Sequence, residues 1–241
     1  MSTTDSGATH TLAYASESAS PQSRLEKRLP TLLSVIAGMV DLIGYFTLGN
    51  VFTAHITGNL VVIAALVVRG GRMNSAQVLA IPIFIFAVAA TWLLARVSGR
   101  RGPGLARLLL LIQFLLLSSV LIFSVITKPA ANPHGLMAGI AVMIAVSAMA
   151  CQFALLRLAL PVAPSTAVMT GNLTNTVLSL LDRLPRAQPL MTCDTERLRS
   201  SLQLLIGFFA GCVVAAAAVS LLGEWAWSFP VALAGVAATL R

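Results

Sequence analysis

Apolar residues in this chain come in long, continuous runs separated by short polar breaks. Continuous apolarity over roughly 17–25 residues is the pattern of a membrane-crossing helix, whereas strands of a membrane barrel would alternate. The runs predict eight helical segments: Pro30 to Leu48, Thr53 to Val68, Gln77 to Val97, Leu105 to Ile126, Leu136 to Arg157, Ser165 to Leu181, Ser201 to Leu222, and a last one ending near Leu240. Pro30 falls in a first turn, where its missing N–H is no loss. Gly207 and Gly211 form a small-xxx-small packing face, and Trp225 and Trp227 are expected to anchor the last segment at a membrane interface. Residues 1–29 hold a Ser/Thr/Ala-rich tail and the basic flank Arg24, Lys27 and Arg28. With no basic n-region or apolar h-region ahead of it, the tail is expected to be disordered and cytoplasmic rather than a cleaved signal.

Two of the segments are short and share a motif. Thr53-Ala54-His55-Ile56-Thr57-Gly58-Asn59-Leu60 returns 113 positions later as Thr166-Ala167-Val168-Met169-Thr170-Gly171-Asn172-Leu173, with six of eight positions identical. The flanking segments match in order, so the chain divides into membrane repeat 1, residues 30–128, and membrane repeat 2, residues 129–241. At ~1.5 Å per residue the motif segments reach only about 24–26 Å, against a hydrocarbon core of ~30 Å. They either span a locally thinned bilayer, giving eight spans, or enter and return, giving six full spans plus two short motif helices. The second arrangement leaves only Arg69, Arg72 and Lys128 outside; the first instead places Arg96, Arg100, Arg101, Arg107 and Arg157 there. The positive-inside rule favours the second. Three full spans per half would make the repeats inverted, as in many transporters.

Composition narrows the class. The chain is 57% hydrophobic and 10% charged, where a soluble domain carries about 25% charged residues. This is an all-α integral membrane protein. Its net charge of +8 sits at the ends of apolar runs, which points to membrane flanks and away from nucleic acid. Cys151, Cys193 and Cys212 are odd in number without CxxC spacing, so buried thiols are expected rather than a disulfide or zinc site. His10, His55 and His134 are too scattered for a metal-ligand set.

Two readings of the motifs stay open. In one, Ala54/Gly58 and Ala167/Gly171 are small-residue grooves through which the two motif helices pack on each other. In the other, the breaks at Gly49-Asn50 and Pro161–Pro164 place helix N-termini within the membrane, where unpaired N–H groups suit an anion. Thr57, Asn59, Thr170 and Asn172 then line a shared polar cavity, with Gly58 and Gly171 between them. Asp41 is the one acid at mid-membrane depth, where a charge is costly and faces either a partner or a cavity. Arg157 is the candidate partner, and proton coupling the candidate role. The matching position is Ala154, so Gln152 is the nearest polar group the second half offers there. His55, matched by Val168, is read as a lone polar wall residue, and Gln113 as an interhelical hydrogen bond. HExxH, GxSxG and GxxxxGKS are absent, so no catalytic residue, cofactor or metal is expected.

Ala37-Gly38-Met39-Val40-Asp41-Leu42-Ile43-Gly44-Tyr45, then Val51-Phe52 and Thr57-Gly58-Asn59, resemble the YoaK family of multi-pass bacterial membrane proteins, domain of unknown function 1275. Cys151-Gln152-Phe153-Ala154 and Thr170-Gly171-Asn172 correspond to its later elements, over about residues 30–240. The chain departs within Cys151-Gln152-Phe153-Ala154, where the pattern has a small residue, Gln and Asn and this chain lacks the Asn. The resemblance implies a bacterial inner-membrane protein and supplies neither catalytic residues nor a ligand. Together these observations predict a secondary transporter or permease for a small polar or anionic solute, embedded in the lipid bilayer with a cytoplasmic N-terminus. A homo-oligomer is left open. The alternative is a non-transporting structural or assembly protein, and the third class, an intramembrane enzyme, lacks a second acid.

Overall fold

The computed structural model describes residues 21–69, 74–161, 163, 165, 166, 168–181 and 195–239. Residues 1–20 of the expected tail and most of the polar stretch between the sixth and seventh segments lie outside the described residues, whereas residues 21–29, the rest of the tail and its basic flank, are helical. Eight α-helices follow in order: α1 Pro21–Thr47, α2 Ile56–Arg69, α3 Ser75–Ser98, α4 Gly102–Thr127, α5 Leu136–Ala159, α6 Met169–Leu181, α7 Thr195–Leu222 and α8 Ser228–Thr239. Among the described residues there is no strand. Five stretches are long and apolar enough to cross a membrane. The last of them, Leu198–Thr239, has 42 residues, about twice what one span needs. It is broken at Gly223, whose φ of +55° ends α7.

The helix starts differ from expectation in informative ways. α1 begins nine residues before Pro30, which therefore lies inside the helix and not in its first turn. α2 and α6 begin three and four residues after the expected starts, because the first residues of each motif are loop. Ala54 consequently shares no helix face with Gly58, and the small-residue groove proposed for that pair does not form. Trp225 is exposed, but Trp227 is wholly buried. The 3-10 turn Gly223–Trp227 points the two rings in different directions, so only Trp225 is placed to act as an anchor.

Among the stretches long enough to cross a membrane, α1 and α5 are the most buried and α3 is the most exposed. α1 packs on α7, α8 and α5; α5 packs on α3, α4 and α1; α4 also packs on α8. The motif helices sit at the periphery, α2 on α3 and α6 on α7, and neither takes the other as a principal neighbour. α5 can be enclosed because its surface is small: Ala138, Ala141, Ala145, Ala148 and Ala150 are all fully buried. In lipid, helices gain little from hydrophobic burial, so close packing and interhelical hydrogen bonds must hold them together. The α1–α7 contact uses both. A Cβ on Gly38 would collide with the Phe208 carbonyl oxygen, and one on Gly211 with the Val35 carbonyl oxygen. Ser34 Oγ donates to the Leu204 carbonyl at 2.6 Å. The Gly207/Gly211 face expected from sequence is thus an interface, and its partner is α1.

Candidate functional site

The last turns of α1 and the loop that follows build one compact polar centre. The chain reverses at Gly49 and Asn50, both left-handed at φ +81° and +60°. Asn74 and Gln77, at the start of α3, hold the reversal through bonds to the Gly49 carbonyl (3.2 Å) and the Asn50 carbonyl (3.0 Å). The returning segment then runs back along α1. Gly44 permits this, since a Cβ there would lie 2.9 Å from Thr53 Cγ2. Residues 53–55 are thereby laid against Asp41, one and a half turns before the end of α1.

Asp41 is 5% exposed. Its Oδ1 accepts from the backbone N–H groups of Thr53 (2.8 Å), Ala54 (2.7 Å) and His55 (3.3 Å), with the Thr53 hydroxyl at 3.4 Å. Its Oδ2 lies 2.5 Å from His55 Nδ1. Successive amides turned toward one carboxylate oxygen form an anion-binding nest, here at the entry to α2. The anion that the sequence led us to expect at this helix start is therefore the chain's own. Arg157, the expected partner of Asp41, is exposed near the end of α5 and is not among the groups bonded to the carboxylate.

His55 is not the lone polar wall residue expected. Its side chain is 28% exposed, and its ring meets Phe208 of α7 edge-on at 5.0 Å. A proton on Nδ1 lets the ring donate to the carboxylate and leaves Nε2 facing outward. Nε2 makes no hydrogen bond among the described residues. The arrangement can take up a proton at Nε2, and the resulting imidazolium stays paired with the carboxylate. Cys212 of α7 meets α1 nearby, its thiol donating to the Gly38 carbonyl at 3.5 Å.

The remaining candidates fall into separate groups. Asn59 is fully buried and clamps the loop from the far side: its Nδ2 donates to the Phe52 carbonyl (2.8 Å) and its Oδ1 accepts from the Phe52 N–H (2.9 Å). Gly58 lies beneath the Phe52 ring, 2.9 Å from where a Cβ would stand. Thr57 is exposed on α2. On the second motif, Asn172 Nδ2 donates to the Ser165 carbonyl (3.0 Å). Gly171 faces the Val168 side chain, and Thr170 is exposed.

Gln152 lies in the core between α1, α4 and α5, where its Oε1 accepts from Gln113 Nε2 (2.7 Å) and its Nε2 donates to the Leu33 carbonyl (3.0 Å). Gln113 is thus the interhelical bond expected, with Gln152 as the partner. Gln152→Leu alone should cost about 1–3 kcal/mol of stability, because it leaves the buried Gln113 amide without its acceptor. Adding Gln113→Leu should recover much of that in a detergent melting assay; a double variant less stable than the single would refute the pairing.

Sequence reading missed Gly44, Phe208 and the Asn74/Gln77 brace. Backbone donors leave no mark in a sequence, and Phe208 is 153 positions from His55. The one available signal was a histidine just after a Gly-Asn reversal that follows an intramembrane acid.

A family model described as "Protein of unknown function (DUF1275)" matches residues 29–240. A 35-residue stretch is 57% identical to the UPF0700 transmembrane protein YoaK of Bacillus subtilis (strain 168), covering 14% of this chain and 16% of that protein. No solved structure matches the chain. With the family model spanning nearly every residue beyond the tail, and helices long and apolar enough to cross a bilayer repeatedly, this chain is a multi-pass transmembrane protein belonging to the DUF1275 family.

Proposed function

We propose that the chain is a proton-coupled secondary transporter for a small polar or anionic solute, in the bacterial inner membrane with a cytoplasmic N-terminus. The observation that carries this reading is the Asp41–His55 pair, buried on the carboxylate side and open on the imidazole side. An ionised acid at this depth is retained for a reason, and proton relays are a common one. Protonation at Nε2 takes the pair from a net charge of minus one to neutral, so loading a proton lowers the cost of a conformational change within lipid.

The architecture we propose is two inverted repeats, with six full spans and the two short motif helices. The helix packing supports the correspondence of the two halves, because it survives their exchange. If α1 to α4 are matched with α5 to α8, the α1–α7 pair becomes α5–α3, α4–α5 becomes α8–α1, and α2–α3 becomes α6–α7; each of these is observed. Inverted repeats around a mid-membrane site are a recurring transporter design. No catalytic residue, cofactor or nucleic-acid partner belongs to this reading. One observation favours the rival, a structural or assembly role: Asn59, Asn172 and Gln152 all bond within the fold.

The test is flux. Reconstituted into liposomes holding a pH-sensitive dye, the wild type should acidify the lumen when an inward gradient of its solute is imposed, with short carboxylates, amino acids and sugar acids as the panel. His55→Ala should abolish that acidification while melting near the wild-type temperature. If no member of the panel moves protons through the wild type, the transporter reading fails and the structural one stands.

A further inference from the structure

Where α1 enters the membrane, it and α7 border an open cleft of about 370 Å³, lined by Arg28, Thr31, Leu32, Val35 and Gln203. Arg28 is exposed and opens the apolar stretch Arg28–Thr47. Thr31, Leu32 and Val35 follow it at helical spacing on one side of α1, with Val35 about 10 Å deeper at ~1.5 Å per residue. α7 runs alongside in the same direction. An added Cβ on Gly207 would lie 3.2 Å from the Thr31 carbonyl oxygen and 3.4 Å from Val35 Cγ2, and one on Gly211 would strike the Val35 carbonyl. Gln203 is one turn before Gly207, so it stands at the same end as Arg28, and the cleft closes inward where α7 meets α1. Arg28 has no ion-pair or hydrogen-bond partner among the described residues. A cation at the rim, an amide beside it and an apolar wall running inward match the order of groups along a phospholipid: phosphate, glycerol ester, acyl chain. A free phosphate would use only the rim, and an acyl chain alone only the wall.

We propose that this cleft holds one anionic phospholipid. Arg28 pairs with the phosphodiester, the Gln203 amide donates to a phosphate or glycerol oxygen, and the first carbons of one acyl chain lie on Leu32 and Val35. The volume falls in the roughly 300–1,000 Å³ range of small-molecule sites, enough for a headgroup and the start of a chain. The unpaired charge of Arg28 selects a lipid of net negative charge, since the phosphate of a zwitterionic lipid is already balanced by its own cation. Anionic lipids are enriched at the cytoplasmic face, where a cytoplasmic N-terminus puts this end of α1. A lipid seated here touches both α1 and α7, and so ties together the two helices whose crossing sets Phe208 against His55. The inference needs the chain to sit in a bilayer and does not need it to transport.

The experiment uses the purified full chain in an uncharged detergent, titrated with dioleoylphosphatidylglycerol. Dioleoylphosphatidylcholine and sodium phosphate are the controls. Phosphatidylglycerol should raise the melting temperature in a saturable way, as a ligand bound only by the folded state does, and neither control should. Arg28→Gln should weaken the apparent affinity about tenfold, the loss expected for one hydrogen bond to a charged group. Arg100→Gln, which removes an exposed cation between α3 and α4, should leave it unchanged. Leu32→Trp fills the apolar wall with Arg28 still in place and should weaken it as well. A wild type that responds no more to phosphatidylglycerol than to phosphatidylcholine overturns the proposal. Equal losses in Arg28→Gln and Arg100→Gln overturn it in favour of diffuse attraction to the whole basic face, and a shift reproduced by phosphate alone overturns it in favour of a free anion. An undiminished response in folded Leu32→Trp also overturns it; if that variant does not fold, the comparison of Arg28→Gln with Arg100→Gln decides. Binding is read without flux, so a chain that moves no solute leaves this inference standing, and a missing lipid shift leaves the transporter reading untouched.

Discussion

Asp41→Ala should unfold the centre of the first half, whereas Asp41→Asn should leave it folded and inactive. The alanine variant strands three backbone N–H groups that now sit 2.7 to 3.3 Å from Oδ1, within a loop that Asn59 and Gly44 hold in place. A buried donor left without its acceptor costs about 1–3 kcal/mol. Allowing for the longer His55 bond, the total should be on the order of 3–5 kcal/mol. Asparagine keeps an acceptor oxygen for the amides and opposes a donating NH₂ to His55 Nδ1. The imidazole must then place its proton on Nε2, which removes the outward lone pair that takes up a proton. Stability near the wild type combined with lost proton uptake is the expected signature. Size-exclusion fluorescence after heating reads the first property and dye-loaded liposomes the second. An alanine variant within about 1 kcal/mol of wild type would show that the amide nest contributes little, since one unsatisfied donor alone should cost that much.

The pattern Gly38-x-x-Asp41-x-x-Gly44 shows what the sequence carried and what it did not. The long helices were legible, because apolar runs long enough to cross a bilayer have few competing explanations. The special status of Asp41 was legible too, since a lone acid in such a run stands out. Its partner was not. Cations draw attention in a sequence, which is why Arg157 stood in for what proved to be three amides and a histidine. The glycines were equally opaque. Gly44 answers to Thr53, nine positions on, but Gly38 answers to Phe208 and Cys212, and the Cys212–Gly38 contact is separated by 174 positions. No local pattern reports that pairing. The starts of the two motifs were misjudged as helix: each opens with loop residues that the motif asparagine ties back seven positions upstream. A helical wheel drawn through Ala54 and Gly58 therefore puts on one face two residues that the chain keeps on different elements.

Gly211→Leu is expected to separate α1 from α7, and the damage should reach the proton site. A Cβ at residue 211 meets the Val35 carbonyl, with the Val35 carbon at 3.0 Å and the Met39 nitrogen at 3.2 Å. These are backbone atoms, so no flexible side chain can move aside, and the helices themselves must part. Overpacking of this kind costs about 1–3 kcal/mol for a small group, and leucine should exceed that range. Gly38→Leu meets the Phe208 carbonyl and the Cys212 nitrogen from the other side of the same crossing and should behave alike. Gly139 on α5 is the control, since an added Cβ there meets nothing within 4 Å. Gly139→Ala should be neutral or stabilise by up to ~1 kcal/mol through helix propensity. The reach to function comes through Phe208, which adjoins the Gly207/Gly211 face on α7 and whose ring braces His55. Gly211→Ala, mild enough to retain a folded fraction, should therefore lower both the melting temperature and the proton uptake per folded molecule. A variant with reduced stability but unaltered uptake per folded molecule would show that α7 holds α1 without positioning the imidazole.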